Sequence, residues 1–236
     1  MSKKGENKKA KTISIPNVIN ISRKNNFWTV KTKAGPHNKE TSVPLGLIIR
    51  DYIGIVAKMK DVKKVLNSGE VKINGVVKID HQFPVGLFDV IAIGKQKLYY
   101  RAMLDNKGRL VLNKMEKESK EKVSKVKSKI MASKGIQVTM NDGRTFIGIK
   151  ANVGDSVKIA LPEGKVQEVI EFKEGALAFI TKGAHCSETA TIKGIVEGTA
   201  RRAKLVKLSS GKKDFETVFD NVIVIGKNKS EMTDVQ

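Results

Sequence analysis

The apolar positions of residues 42–80 change their spacing half-way along this stretch. The first set recurs every three or four residues, which predicts one buried face of an α-helix: Leu45, Ile48, Ile49, Tyr52, Ile53 and Val56. Ser42 is suited to cap this helix, and Pro44 is suited to its first turn, where no amide donor is needed. A second, shorter helix is predicted to start near Asp61 and to stop at Gly69. The positions that it buries are Val62, Val65 and Leu66.

After Gly69 the period falls to two, which is typical of a β-strand. Val71 and Ile73 alternate with polar residues, Asn74-Gly75 supplies the two positive-φ positions of a type I′ turn, and Val77 and Ile79 resume the alternation. The stretch therefore predicts two small helices followed by a tight hairpin. Its outward face carries basic residues: Arg50, Lys58, Lys60, Lys63, Lys64, Lys72 and Lys78.

Most of the remaining chain has the pattern of short strands. Residues 89–93 predict a strand that closes the sheet begun by the hairpin, and residues 98–115 predict a further hairpin that turns at DNKG. Residues 135–172 alternate around two turns, and residues 175–226 predict about five short strands of a small barrel. Between these strands, residues 114–134 hold eight lysines and three glutamates, and they predict a helix. Its thin apolar stripe consists of Val123, Val126 and Ile130.

Composition adds a strong charge to this α+β, multi-domain pattern. The 236 residues carry a formal net charge of +21, which is most easily understood if a densely negative partner neutralises it. Nucleic acid is the leading candidate, and an anionic membrane surface is the alternative. No apolar run approaches the roughly 20 residues that span a bilayer, and the basic N-terminus is not followed by the apolar segment of a signal peptide. The single cysteine fits a reducing, cytoplasmic setting.

Residues 1–41 are predicted to form a basic arm that is largely disordered when free and gains order against phosphates. Residues 1–39 contain ten Lys or Arg and one acidic residue, Glu6, and they show no clear apolar period. Phe27 and Trp28 interrupt the polar run. They have two interpretations: anchors of the arm to the folded body, which is the commoner role, or a platform for a nucleic-acid base.

The residues that could support catalysis are few. Cys186 is the sole thiol, and His37, His81 and His185 are the only imidazoles. A thiol and an imidazole that are neighbours in sequence rarely face each other, and a third group would be needed to orient them. The histidines show no metal-ligand spacing, and no phosphate-binding glycine loop or dinucleotide motif is present. The sequence therefore predicts a protein that is not an enzyme and has no metal, cofactor or small-molecule substrate.

The residue types that carry the charge narrow the class of nucleic acid. Lysine greatly outnumbers arginine, which favours contact with phosphates over bidentate reading of bases. Aromatic residues make up only 5% of the chain, so stacking platforms for single strands are scarce. The predicted helices use their best faces for the core, which disfavours a helix dedicated to the major groove of DNA. Folded RNA is the ligand that fits best.

Several segments carry a resemblance to a known family. VKKVLNSGEVKINGVV resembles the core of the S-four type RNA-binding domain, the alpha-L motif. Further segments occur in the order seen in ribosomal protein S-four-e of the archaeal and eukaryotic small subunit, so that the resemblance covers residues 28–226. These segments are GPHNKETSVPLGLIIRDYIG, VKINGVVKIDHQFPVGLFDVIAI, DNKGRL, KSKIMASKGIQ and GKVQEVIEFKEGALAFITKGAH. Without a long basic C-terminal extension, the chain looks archaeal.

The resemblance implies a structural ribosomal component with three modules and no catalytic activity. It divides the chain into an arm (1–41), an alpha-L domain (42–94), a central β-rich domain (95–173), a KOW module in an SH3-like barrel (174–226) and a tail (227–236). Two departures stand out. Ser187 and Ala190 occupy positions where the family's KOW loop carries glycines, and KAKTISIPNVINISRKNNFW matches the family's basic opening poorly.

The expected function is binding of folded small-subunit rRNA through many phosphate contacts, in the cytoplasm, beside neighbouring small-subunit proteins. We expect neither membrane attachment nor homo-oligomers. Two other classes stay open, an RNA-modifying enzyme with an alpha-L docking domain and a transcription or translation regulator with a KOW module. The residues expected to contact RNA are His37, Lys39, Arg50, Lys58, Lys60, Lys63, Lys64, Lys72, Asn74, Lys78, Lys182, His185, Arg201 and Arg202.

Overall fold

The computed structural model describes residues 10–133, 135–211 and 213–227. The chain is mostly β-strand, with two helices and several sheets, and it divides into two units. Unit 1 comprises residues 1–103 and 109–116, and unit 2 comprises residues 104–108 and 117–236. Residues 1–9 of the predicted arm and residues 228–236 of the predicted tail lie outside the described residues.

Unit 1 contains both helices and three sheets. A five-stranded sheet has the order β5-β4-β7-β8-β9, and two small sheets pair β1 with β2 and β3 with β6. The strands are β1 (Ala10–Lys11), β2 (Trp28–Thr29), β3 (Val43–Pro44), β4 (Val71–Ile73), β5 (Val76–Val77), β6 (Pro84–Val85), β7 (Val90–Ile93), β8 (Leu98–Leu104) and β9 (Leu110–Met115). The helices are α1 (Leu45–Leu47), which continues as a π-helix (Ile48–Tyr52), and α2 (Met59–Asn67).

The first helix is shorter than predicted. Its π-helical part is closed by a hydrogen bond from the Ile53 amide to the Ile48 carbonyl at 2.9 Å, and the chain leaves the helix at Gly54, whose φ is +76°. The prediction that Ser42 caps this helix is wrong. Pro44 is extended and immediately precedes the helix, while the buried Ser42 hydroxyl donates to the Asn38 carbonyl at 2.7 Å.

The second helix and the hairpin follow the prediction closely. α2 begins two residues before Asp61, buries Val62 and Leu66, and is followed by Gly69 at φ +73°. Asn74 and Gly75 have φ values of +52° and +78°, which confirms the positive-φ turn between β4 and β5. The hairpin's second strand is short, and its apolar side chains are exposed rather than buried.

The sheet of unit 1 extends beyond the hairpin. β7 pairs with β4, so the strand predicted at residues 89–93 belongs to this sheet, but the prediction that it closes the sheet is wrong, because β7 is the central strand. β8 and β9, the hairpin that turns at DNKG, add two more strands to the same sheet. The sheet therefore reaches Met115, past the boundary expected at residue 94.

The described part of the predicted arm belongs to the fold of unit 1. β1 pairs with β2, and Ile15 and Ile19 are buried in the core with the side chains of α1 and α2. The prediction that the arm is largely disordered is therefore wrong for residues 10–41. Its apolar residues follow no regular period because they pack from an irregular segment, which a test for periodicity does not detect.

Unit 2 consists of two five-stranded antiparallel sheets. One has the order β12-β11-β10-β13-β14, and the other has the order β18-β17-β16-β15-β19. The strands of the first sheet are β10 (Glu121–Ala132), β11 (Gly135–Met140), β12 (Thr145–Ile147), β13 (Ser156–Ala160) and β14 (Val166–Ile170). Those of the second are β15 (Leu177–Ile180), β16 (Thr189–Val196), β17 (Leu205–Ser210), β18 (Lys213–Val218) and β19 (Val222–Gly226). The five strands predicted within residues 175–226 are confirmed.

The helix predicted within residues 114–134 is wrong, because residues 121–132 form β10, the central strand of the first sheet. Its first half pairs with β13 and its second half with β11. A central strand can bury both faces, so the five consecutive residues 122–126 are all buried and alternation is lost. Two of the five are lysines whose charges are held inside the unit, and periodicity alone could not identify this strand.

Candidate nucleic-acid interface

The basic face of unit 1 begins on α2. Because Val62 and Leu66 point into the core, Lys60, Lys63 and Lys64 lie on the opposite, exposed side of the helix. Lys58, directly before α2, is exposed as well. Lys64 is 3.4 Å from Asp61, a weak surface contact between exposed groups. The other three lysines form no ion pair with any residue that the structure describes, so their charge is available to a ligand.

The hairpin adds two lysines to this face. Lys72 lies between the buried Val71 and Ile73 and is exposed on the other side of β4. The Lys78 ammonium lies 5.0 Å from the centre of the Phe83 ring, and its position is partly fixed by this cation–π contact. Lys39, in the short 3₁₀ turn Lys39–Thr41 before β3, is exposed too.

One lysine of this face, Lys63, also acts on a neighbouring imidazole. Burial and the charge of Lys63 lower the pKa of His81 below its ordinary value, while Asp80 opposes the shift. His81 is therefore mostly neutral at pH 7 and adds no charge of its own. A polyanion bound over α2 would reverse the field at this imidazole.

Arg50 is held by its neighbour in the chain. Its Nε and Nη2 donate to the two carboxylate oxygens of Asp51, both at 2.8 Å, and these hydrogen bonds raise the pKa of Arg50. The pair fixes the plane of the guanidinium at the surface, with its charge largely balanced.

Two of the expected RNA-contact residues are turned into the fold. The His37 ring is 8% exposed, and its Nε2 lies 2.9 Å from Oδ2 of the buried Asp89. Asn74 donates to Asp89 Oδ1 at 2.8 Å and accepts the Val90 amide at 3.0 Å. Their side chains tie the hairpin turn to β7 and to the segment before β3, which positions the hairpin that carries Lys72 and Lys78.

The four expected contact residues of unit 2 lie at the two ends of β16. Lys182 and His185 are in the loop before it, and Arg201 and Arg202 are in the turn after it. The His185 ring stacks on Phe215, with centroids 3.9 Å apart, and Nδ1 lies 3.0 Å from Glu188. Lys182 and the two arginines are exposed, and Arg202 is 3.8 Å from Glu216.

The two residues that replace expected glycines lie in the loop before β16 and at the start of β16 itself. Ser187 has φ +73°, the left-handed conformation that glycine adopts most easily, and its hydroxyl donates to the Leu104 carbonyl at 2.7 Å. Ala190 is an ordinary buried residue of β16, paired with Ala178. Only Ser187 therefore requires a glycine-like backbone, and its hydrogen bond offsets part of the cost.

The lysine-rich segment 114–134 divides its charge between surface and interior. Lys127 and Lys129 are exposed on β10, whereas Lys122 and Lys125 are buried. Lys122 donates to Asp142 Oδ2 at 3.1 Å, and Lys125 donates to the carbonyls of Phe219 and Asp220 at 2.7 and 3.3 Å. These internal roles were not predicted from the sequence, because they follow from the central position of β10 in its sheet, which local pattern does not show.

The fold does not bring the candidate catalytic residues Cys186 and His185 together. Cys186 is buried with its thiol donating to the Thr181 carbonyl at 3.2 Å, and burial raises its pKa, so the thiolate is disfavoured. Its neighbour His185 faces Glu188 and Phe215 instead. The described residues contain no group of three or more His, Cys, Asp or Glu that could hold a metal ion. Among the same residues, no helix has the length and apolar character needed to cross a membrane.

Comparison with known proteins gives consistent matches. The profile of the family described as Ribosomal family S4e matches residues 96–166. Small ribosomal subunit protein eS4 of Nanoarchaeum equitans is 36% identical over 224 residues, which cover 92% of this chain and 95% of that protein. The protein of the same name from Archaeoglobus fulgidus is 34% identical and covers 94% of both chains.

A solved structure agrees with these relatives. The crystal structure of the 30S ribosomal protein S4e from Thermoplasma acidophilum superposes with a TM-score of 0.69 at 36% identity, over 79% of this chain and 96% of that one. Identity above 30% across more than nine-tenths of the chain leaves no ambiguity about descent. The chain belongs to the ribosomal protein family S4e.

Proposed function

We propose that this protein is a structural constituent of the small ribosomal subunit that binds folded small-subunit rRNA through many phosphate contacts. The observation that carries the proposal is the set of exposed lysines at the start of α2 and on β4 that have no acidic partner among the residues the structure describes, in a chain whose relatives are small-subunit ribosomal proteins. Incorporation into the subunit would place the protein in the cytoplasm, in contact with neighbouring ribosomal proteins. A structural role also accounts for the fold without any catalytic step.

The chemistry of the exposed groups favours phosphates. A lysine ammonium acts as a point charge, which suits the many orientations of phosphate oxygens along a folded RNA. The proposed contacts are Lys39, Arg50, Lys58, Lys60, Lys63, Lys64, Lys72 and Lys78 in unit 1, with Lys182, His185, Arg201 and Arg202 in unit 2. His37 and Asn74 support the interface from inside, because they hold the hairpin in place.

We also propose that the modules expected from the family are present. α1, α2 and the β4–β5 hairpin share one core, as an alpha-L domain requires, and the five strands β15–β19 suit a KOW module in an SH3-like barrel. The alpha-L module in this chain would include the strands up to Met115, because β8 and β9 belong to its sheet. A fragment that stops at residue 94 would expose β7 as an edge strand.

Cosedimentation tests the proposal directly. The tagged protein, expressed in an archaeal host, should move with the small subunit in a sucrose gradient and leave it as the salt concentration rises. Movement with RNA polymerase instead would favour the regulator class, and a position at the top of the gradient at low salt would refute the proposal.

A triple variant tests the interface itself. Changing Lys63, Lys64 and Lys72 to Ala should lower the slope of log affinity against log salt by about two to three, since each phosphate contact contributes roughly 0.7–0.9. The matched control changes three exposed lysines elsewhere in unit 1: Lys33, Lys95 and Lys114. Both variants lose the same charge, so equal slopes would show that the basic face is misassigned.

A further inference from the structure

Two aromatic side chains lie side by side on the surface of unit 1. Phe27 is 60% exposed and Trp28 is 50% exposed, and their rings meet edge to face with centroids 4.8 Å apart. The segment is anchored by Ile15 and Ile19, which are buried in the core. Phe27 and Trp28 therefore keep half or more of their surface exposed, in a chain with few aromatic residues.

Trp28 lines an open cavity of about 370 Å³. This volume lies in the range of roughly 300–1,000 Å³ that is common for small-molecule sites. We name the cavity the Asn–Trp pocket, and the lining residues that matter to its chemistry are Ser22, Asn25, Asn26, Trp28, Arg50 and Asp51.

The polar groups of the Asn–Trp pocket offer both donors and acceptors. The Asn26 side chain makes no hydrogen bond within the part of the chain that the structure describes. The Ser22 hydroxyl donates to Asn25 Oδ1 at 2.9 Å, which leaves the Asn25 amide group able to donate. A side-chain amide presents one donor and one acceptor side by side, and this arrangement matches the edge of a nucleobase.

Two basic residues lie on the segments that form the pocket, although neither lines its wall. The Lys11 ammonium lies 5.5 Å from the centre of the Phe27 ring, and the Arg23 guanidinium is fixed by Asn17 at 2.9 Å. Asp51 is the acidic residue of the pocket wall, and Arg50 already balances it. An aromatic face, amide groups and nearby cations are together the means by which proteins hold an unstacked base of RNA.

We propose that the Asn–Trp pocket takes one unpaired nucleotide of a folded RNA, with its base stacked on Trp28 and its edge hydrogen-bonded to Asn25 or Asn26. This inference rests on the proposed function, because it assumes that RNA is the ligand. It adds a base contact to an interface that otherwise reads only phosphates. The contact would fix the register of the protein on its RNA.

The single tryptophan of the chain makes the stacking observable, because all tryptophan fluorescence comes from Trp28. The probes are two fluorescein-labelled RNA stem-loops of equal length, one with a single bulged adenosine and one fully paired, at about 50 mM salt. Anisotropy of the label measures binding, and quenching of Trp28 measures stacking. We expect both RNAs to bind, with the bulged RNA binding about tenfold more tightly and quenching Trp28 strongly.

Variants separate the pocket from the phosphate contacts. Trp28→Ala and Asn26→Ala should each remove most of the preference for the bulged RNA, about five- to tenfold, and leave the affinity for the paired stem unchanged. Trp28→Phe should keep much of the preference, because it keeps a ring. Lys63→Ala is the matched control, and it should lower the affinity for both RNAs by the same factor. Circular dichroism checks that each variant folds. If Trp28→Ala fails to fold, the RNA preference of Trp28→Phe and the quenching of Trp28 in the wild type decide whether the base stacks on this residue.

The outcomes distinguish this inference from the proposed function. Equal affinity for both RNAs, or binding without selective quenching, would overturn the pocket while leaving the phosphate interface intact. A Trp28→Ala variant that binds both RNAs like the wild type yet fails to join the small subunit would assign the aromatic pair to a protein neighbour and overturn the inference. If neither RNA bound at low salt, the proposed function would fail, and the inference would fail with it.

Discussion

Substitution of the buried Asp89 is the most demanding test of how unit 1 is held together. The Asp89 side chain is 1% exposed. Its Oδ2 accepts a hydrogen bond from the Gly86 backbone amide at 2.8 Å and lies 2.9 Å from His37 Nε2. Its Oδ1 accepts a hydrogen bond from the Asn74 side-chain amide at 2.8 Å. Asp89→Asn keeps the size of the side chain and replaces one oxygen by an NH₂ group. Whichever position this NH₂ takes, it faces the N–H of Gly86 or the amide group of Asn74.

The expected loss of stability in Asp89→Asn follows from the hydrogen-bond donors that it leaves without an acceptor. Turning the Asn74 amide to avoid the new donor would break its acceptance of the Val90 amide, so at least one buried donor stays unsatisfied. One such group costs about 1–3 kcal/mol, and the lost charge weakens the remaining bonds, which gives a loss of about 2–4 kcal/mol in the free energy of unfolding. Asn74→Gly should also be destabilising, by about 2 kcal/mol, although glycine keeps the positive φ of the turn.

Urea unfolding of the full chain, followed by tryptophan fluorescence, measures the effect. The only tryptophan, Trp28, lies in unit 1, so its signal reports this unit and not unit 2. The control is Asp61→Asn, which removes an exposed carboxylate from the first turn of α2 and should cost less than about 1 kcal/mol. If Asp89→Asn lost no more stability than Asp61→Asn, the network would not hold the hairpin as argued.

Unit 2 supplies the remaining predictions, which calorimetry of the full chain can follow. Burial lowers the pKa of Lys125 from about 10.5 to about 8, although Asp220 opposes the shift. Between these two pH values the unfolded chain binds more protons than the folded chain, so the stability of unit 2 should rise with pH by roughly 3 kcal/mol. The Lys125→Met variant should not show this rise. Burial opposes ionisation of Asp142, but Lys122 and hydrogen bonds outweigh it and lower the pKa of Asp142, so acid below the ordinary pKa should destabilise unit 2. Asp142→Ala should cost about 3–5 kcal/mol because it removes the carboxylate that Lys122 contacts inside unit 2, and adding Lys122→Met should restore part of the loss. Ser187→Gly should change stability by less than about 1 kcal/mol, because relief of the positive φ offsets the lost hydrogen bond to Leu104, whereas Ser187→Val should be clearly destabilising.

Each of these predictions has an outcome that contradicts it. A pH profile that is the same in the Lys125→Met variant would show that another group causes the rise. A double variant at Lys122 and Asp142 that is no more stable than Asp142→Ala alone would show that the pair is not coupled. Equal effects of glycine and valine at residue 187 would show that the left-handed backbone does not matter there.

Local pattern was a good guide wherever one face of an element is buried and the other is in water. The apolar face of α2, the turn at Asn74-Gly75 and the alternating strands β11 to β14 were all predicted, because spacing and turn chemistry are properties of a few adjacent residues. The basic face of α2 follows by geometry from its apolar face. The resemblance of quoted segments to the S4e family was equally a property of the sequence.

Local pattern failed where distant residues decide the environment. Residues 121–132 contain four lysines and one glutamate, residue types that favour a helix, yet they form a central strand because β11 and β13 pair with its two halves. The charge on Lys122 is compensated there by Asp142, twenty residues further on, which lies 3.1 Å from its ammonium. In the same way, His37 and Asn74 look like surface groups until Asp89 brings both inside.

The sequence by itself therefore determined the class of ligand, the family and the elements with one buried face, since net charge, motif order and spacing need no partner. Only the tertiary structure decided which charged and polar side chains remain available to that ligand. The physical reason is the cost of burial: a charge enters the core only if a distant group compensates it, and the fold alone brings such pairs together. It also decided that Trp28 lies at the surface beside asparagine amides, where the sequence had left two interpretations open.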